Sequence, residues 1–287
     1  MTIMMLRLGY KYQKFQDRLA TCVVYFLTFL TVLPLFLVVG YIVLNGFRHF
    51  SLDLLIKNPA PVGEAGGGVL NGIIGSVIII VIAALMGIPI GVMGGVYLAE
   101  AKESRFKHIL RIAVEILQGI PSIVIGIVVY LLIVLPMRGF SALAGGVALA
   151  IIMLPVIVIS TEESLRLVPH ELKEAGIALG VPGWRVSLFV VLRTGLGGVI
   201  SGILLSLSRI AGETAPLLFT VLGSQFFSLK ITQPMAALPL QIFNYSISPY
   251  PEWHSIGFAV SFLLLIFILT INIMTRTVIE KMSYKRR

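Results

Sequence analysis

The sequence predicts an all-α membrane protein with six transmembrane helices, on three observations. Hydrophobic residues make up 57% of the 287 and charged residues only 12%, against about 25% charged in ordinary soluble domains. Apolar runs of about 20 residues recur, the length needed to cross a hydrocarbon core of about 30 Å. The runs are continuous, unlike the alternating segments of roughly ten residues that build a barrel.

The elements follow in order. Residues 1–18 carry Arg7, Lys11, Lys14 and Arg18 among apolar residues. They read equally well as an interfacial helix or as a solvated basic tail. The N-terminus is too long and polar before its first span to read as a removable signal peptide. The first span is Leu19 to Leu44 with Pro34 inside it, and the polar loop Asn45 to Gly68 is broken by Pro59, Pro61 and Gly66-Gly67-Gly68. The second span, Val69 to Leu98, is studded with glycines, which let helices approach closely in lipid. The third runs Arg111 to Leu135 and contains Gln118-Gly119-Ile120-Pro121-Ser122; the fourth runs Ser141 to Ile159. The polar segment Ser160 to Arg185 leads to a fifth apolar stretch, Val186 to Leu222. A straight helix of that length would reach about 55 Å, so the stretch extends beyond the bilayer or breaks, with Gly212 and Pro216 as the candidate breaks. An aromatic loop, Gly223 to Ser255, hugs the interface, with a short helix near Met235 to Tyr245. The sixth span is Ile256 to Met274, and 277–287 is a second basic tail.

Six spans put both termini on one side. Sixteen of the 22 lysines and arginines lie on that side and four on the other, so the positive-inside rule makes both termini cytoplasmic. The net charge of +9 is thereby accounted for by topology, which argues against nucleic acid as a partner. Cys22 is the sole cysteine, so no disulfide forms within the chain. His49, His108, His170 and His254 are scattered without metal-ligand spacing.

Two stretches carry the chemistry. In the first, Pro169 suits a helix start and Gly180 the position just past its end. Between them Leu172, Ala175, Gly176 and Leu179 form a narrow apolar stripe. The pattern fits docking into a groove on a partner, and equally an amphipathic loop helix packed on its own bundle. In the second, Arg209 and Glu213 stand four apart, on one helical face, inside the fifth apolar stretch. A charge at mid-membrane costs roughly 2.5–3.5 kcal/mol even on the lenient scale. Pairing or a wet cavity must offset it. Two roles stand open: a structural ion pair, or a guanidinium fork offered to an oxyanion with Glu213 orienting it.

The run Glu174-Ala175-Gly176-Ile177-Ala178-Leu179-Gly180 resembles the EAA motif of ABC importer permeases, with Gly176 in place of the second Ala. Where that pattern often ends in Leu-Pro, this chain has Leu192-Arg193. The resemblance implies a type I importer permease (MetI-like) fold. It also implies a coupling helix at 169–180 that docks into a cytoplasmic ATPase through Glu174, Ala175, Gly176 and Gly180. The run Ser-Arg-Ile-Ala-Gly-Glu-Thr-Ala-Pro-Leu-Leu-Phe-Thr from Ser208 narrows the family. So do Ile120-Pro121-Ser122-Ile123-Val124, Gln233-Pro234-Met235 and Tyr97-Leu98-Ala99-Glu100. These are similar to the A-type permeases of bacterial high-affinity phosphate importers, the Pst system. The similarity covers about Val69 to Arg276, so 69–276 is taken as the importer transmembrane domain. It is weak in the tails and in the first span and loop, 19–68.

That resemblance implies a permease in the bacterial inner membrane that moves inorganic phosphate by alternating access. Its partners would be a related second permease, two ATPase subunits and an extracytoplasmic phosphate-binding protein. It implies Arg209, with Glu213, as the substrate path. No P-loop of the form G-x-x-x-x-G-K-[ST] is present, so no cofactor is expected on this chain. ATP and magnesium belong to the partner, and no catalytic or metal residue is assigned. Sulfate or molybdate would satisfy the same cationic path. A channel would leave the coupling helix unexplained. An intramembrane lipid-phosphate enzyme needs a nucleophile and base within reach of each other, and the intramembrane carboxylates are few.

Overall fold

A computed structural model describes residues 2–61 and 67–284; among them it is all-helical, with one isolated β-bridge between Pro59 and Gly67. Helix α1 spans Thr2–His49. It passes residue 18 without a break and absorbs the start of the expected loop. The basic side chains Arg7 and Lys11 lie outside the described residues. A short α2, Leu52–Ile56, follows, capped by the Ser51 hydroxyl, which accepts from Leu54 N at 3.3 Å. Among the described residues, five long apolar helices and one bent pair supply up to six spans.

Three spans form the centre: α3 (Leu70–Glu100), α6 (Ala142–Arg166) and α8 (Gly183–Ile210). Glycines set their spacing. On α3, Gly87, Gly91 and Gly95 lie against Met153, Ile157 and Thr161 of α6, at matching four-residue steps. On the other flank of α6, Gly195, Gly198 and Gly202 of α8 meet Leu165, Ser164 and Ser160. In lipid, close backbone approach replaces the hydrophobic drive between helices. The ridges therefore clamp α6 between its neighbours, and Met153, Ile157 and Leu149 are buried in the core.

The third span differs from expectation. It is a bent pair: α4 (Arg105–Gly119) and α5 (Ser122–Met137) meet at 106°. Proline explains the bend. Its ring disfavours helical backbone at the preceding residue, and Ile120 is extended at φ −73°, ψ 128° before Pro121. Helix α4 is thereby turned across the bundle end. There Lys107 donates to the Ala101 carbonyl and to Glu103, both at 2.8 Å, closing the loop from α3.

The fifth stretch breaks where expected. After Ile210 the chain turns through 211–214 and resumes as α9, Ala215–Thr220, with Pro216 in its first turn. Pro216 has no N–H to return to residue 212, so a continuous helix is excluded there. The freed carbonyls of Arg209 and Ile210 are met by the N–H groups of Gly212 and Glu213, both at 3.2 Å. Helix α9 packs on α5, where a Cβ at Gly126 would lie 2.7 Å from Pro216 Cα.

The chain then folds back over the opposite end, where α3 and α6 begin. Leu222 and Gly223 turn at φ 63° and 86°. The carbonyls of Thr220, Gln233 and Ile231 accept from Ser141, Ala142 and Leu143, so the orphan donors at the α6 N-terminus are met by a distant loop. The expected short helix is α10, Leu238–Ser246. Asn71, at the start of α3, donates to the Ser224 and Gln225 carbonyls and accepts from Gln241 at 2.9 Å. The last helix, α11, is Pro251–Tyr284. It packs on α1 through edge-to-face pairs such as Tyr41–Phe258.

Candidate functional site

Register fixes the depth of the charge pair. Gly198 meets Ser164 and Gly202 meets Ser160, so α8 and α6 run antiparallel with four residues against four. Continuing seven residues brings Arg209 level with Met153. That is eleven residues inside α6, about 17 Å at 1.5 Å per residue and so about halfway through a ~30 Å hydrocarbon core. The helix ends at that level. Its last full turn carries Arg209, and the turn at 211–214 carries Glu213.

Arg209 Nε stands 3.7 Å from Glu213 Oε1. The contact is an ion pair rather than a close hydrogen bond. The Arg209 side chain is 47% exposed on this subunit and Glu213 18%. Ser208, one residue earlier, is buried and turned the other way. Its hydroxyl reaches the Leu204 carbonyl at 3.0 Å and Asn272 of α11 at 3.2 Å. This pair fixes the rotation of α8, so that Arg209 points out of the packed face. Gly212 is exposed beside it. The arrangement is a partly paired, half-exposed guanidinium beside a helix break. Ser122 opens α5 one turn before Gly126, the residue that meets Pro216, so α5 begins near the same break.

The second candidate element is α7, His170–Ala178. Pro169 precedes it, extended at ψ 135°, and Gly180 follows at φ +76°. Gly180 N donates to the Ile177 carbonyl at 2.9 Å and Val181 N to Gly176 at 3.3 Å. This is the left-handed helix stop that favours glycine. Of the two readings left open for the apolar stripe, packing on the bundle holds only for Gly176. Gly176 does face the bundle, where a Cβ would lie 3.0 Å from Val186 Cγ2. Leu172 and Ala175 are exposed, and Leu179 is 84% exposed. Lys173 turns inward, because a partly buried carboxylate waits for it. Glu174 is exposed, 3.8 Å from His170 Nδ1.

That carboxylate is Glu100, at the end of α3. Its Oε2 accepts from Lys173 Nζ at 2.8 Å and from the Ser187 hydroxyl at 2.6 Å. Glu162, near the end of α6, is buried and takes Arg111 of α4 and Arg166, the latter at 2.8 Å. Sequence reasoning assigned neither cluster. The Glu162–Arg166 spacing was visible as a helical pair. The partners 73, 87 and 51 positions apart had no local signal. Among the described residues no three His, Cys, Asp or Glu side chains come together as a metal site.

Residues 87–284 match the family described as "Binding-protein-dependent transport system inner membrane component". The phosphate transport system permease protein PstA of Yersinia pestis is 42% identical over 84% of this chain and 82% of its own length. That of Haemophilus influenzae is 43% identical over 82% of this chain and 83% of its own. A probable phosphate transport permease PstA of Methanocaldococcus jannaschii is 33% identical over 91% and 92%. Among solved structures, the inward-facing MetNI methionine ABC transporter superposes with a TM-score of 0.64 at 19% identity. It covers 74% of this chain and 94% of that one; at that identity the likeness is one of fold.

Proposed function

We propose, from the premise that this chain belongs to the binding-protein-dependent transport system inner membrane component family, that it is the permease of an ATP-driven phosphate importer. The single observation that carries the reading is the identity of 40–43% to phosphate transport permeases across about four-fifths of the chain. The site is compatible with it. A half-exposed guanidinium at a helix break suits a doubly charged oxyanion, and transit favours a weak site, since tight binding traps an ion.

In this reading the exposed α7 docks into a cytoplasmic ATPase subunit. Glu174, Ala175, Gly176 and Gly180 form or shape the docking segment. ATP and magnesium are handled on that partner. A related second permease completes the path, and an extracytoplasmic binding protein delivers phosphate to the outward side. Both termini are cytoplasmic in the inner membrane. Arg209 offers its fork to phosphate as the path opens, and Glu213 holds and orients the fork between passages. The direction of transport follows from ATPase closure, which moves α7 and reverses the side on which the break is accessible.

The test is uptake of labelled phosphate by the reconstituted complex, wild type beside Arg209→Gln, with assembly checked on both. Loss of uptake with assembly intact supports the path. Near-normal uptake removes Arg209 from it. Competition by sulfate and molybdate decides the substrate: if either displaces phosphate at equal concentration, the phosphate assignment gives way to another oxyanion.

A further inference from the structure

The helix that meets the ATPase is held to its own bundle by few groups. Its first half stands off, leaving a cleft of about 270 Å³ lined by Glu100, Pro169, His170 and Lys173. Two attachments span the gap. One is the packing of Gly176 on Val186. The other is the Lys173–Glu100 ion pair at 2.8 Å, with the Ser187 hydroxyl on the same carboxylate oxygen at 2.6 Å. Neither Lys173 nor Glu100 is widely exposed, at 26% and 17%. The pair is thus sheltered from the screening that makes surface ion pairs weak. Three elements meet at one oxygen atom: the end of α3, which carries it, the coupling helix and the second turn of α8.

What lies beyond that oxygen gives it consequence. Helix α3 is clamped to α6, and α6 to α8, by the glycine ridges. A displacement delivered to Glu100 moves that clamped body rather than bending one helix. The far end of α8 is Arg209. Glu174, the motif carboxylate, faces away, so docking chemistry and force transmission use different sides of α7.

We propose that Lys173 and Glu100 are positioning residues that couple ATPase movement to the transmembrane path. The ion pair makes α7 and the α3–α6–α8 core one rigid body. This rests on the permease reading above. Gly176 on Val186 supplies a pivot, and the ion pair supplies resistance to rotation about it. Without the pair, α7 follows the ATPase while the core lags, and hydrolysis continues without transport.

The experiment measures phosphate taken up per ATP hydrolysed by the complete complex in liposomes. Glu100→Gln and Lys173→Met lower that ratio about fivefold or more, the scale of an ordinary coupling energy, with ATPase binding retained. Lys173→Arg returns the ratio toward wild type. A residue that only stabilised the fold would lower uptake and hydrolysis together and leave the ratio unchanged; that result overturns the proposal. The pair E100C with K173C, in a C22S background, is uncoupled when reduced. A short thiol cross-linker joining the two sites restores the ratio. If the cross-link instead stops transport, the two elements separate during the cycle and the proposal fails. It also decides the matter should Glu100→Gln assemble poorly. A wild-type complex with no phosphate uptake sinks the permease reading. Active wild type with unaltered variants sinks only this inference.

Discussion

Gly91 and Ile157 fix the distance between the two central spans: a Cβ built on Gly91 would lie 2.8 Å from Ile157 Cβ. The β-branched side chain has no soft end to move aside. Gly91→Val therefore overpacks the α3–α6 seam, and such changes cost about 1–3 kcal/mol. Denaturation in detergent should show the loss. Gly40→Ala, where nothing lies within 4 Å, should leave stability unchanged or slightly raised.

Arg209→Lys separates charge from shape. Lysine keeps the cation and loses the planar fork. Hydrogen bonds to charged groups are worth about 1.5–3 kcal/mol, so Arg209→Gln should lower uptake by about tenfold or more, with Arg209→Lys between it and wild type. Initial-rate uptake at fixed complex concentration reads this. Equal loss in both variants would mean that the fork, rather than the charge, is essential.

Gly180 has open space around it and a φ of +76°. A side chain there meets no clash, only the backbone strain of the left-handed region, about 1–2 kcal/mol. Gly180→Val should weaken ATPase capture in a pull-down. Gly180→Asn should be milder, since asparagine tolerates that conformation.

Asn71→Ala removes the donor to two loop carbonyls and the acceptor of Gln241. Groups left without partners cost about 1–3 kcal/mol each when buried. Limited proteolysis should cut 223–237 sooner in this variant than in wild type, while the core spans stay protected.

The reading from sequence succeeded where local chemistry dominates. Length and apolarity defined the spans, Pro169 and Gly180 bracketed α7, and Pro216 with Gly212 marked the break in the fifth stretch. It failed on the third span, although Pro121 was in view. A proline inside a membrane helix either kinks it mildly, as Pro89 and Pro155 sit within α3 and α6, or ends it, and only packing decides. It also left the inward face of α7 open. Apolar spacing offered Leu172 and Leu179 equally to a partner or to the bundle, and a carboxylate 73 positions earlier drew Lys173 inward. Long-range partners leave no periodic trace.

The exposed setting of α7 has a bearing on the life of the chain before it finds its partners. A nine-residue helix is marginal alone in water, and few tertiary contacts hold this one. Segments with few buried contacts open at low free energy and exchange their amide hydrogens first. In a lone subunit α7 should therefore exchange fast and offer proteases a cleavable strand; within the assembled complex it should fall silent. In the proposed reading, the stretch that opens most easily in a lone subunit is thus the one that the ATPase covers in the finished transporter.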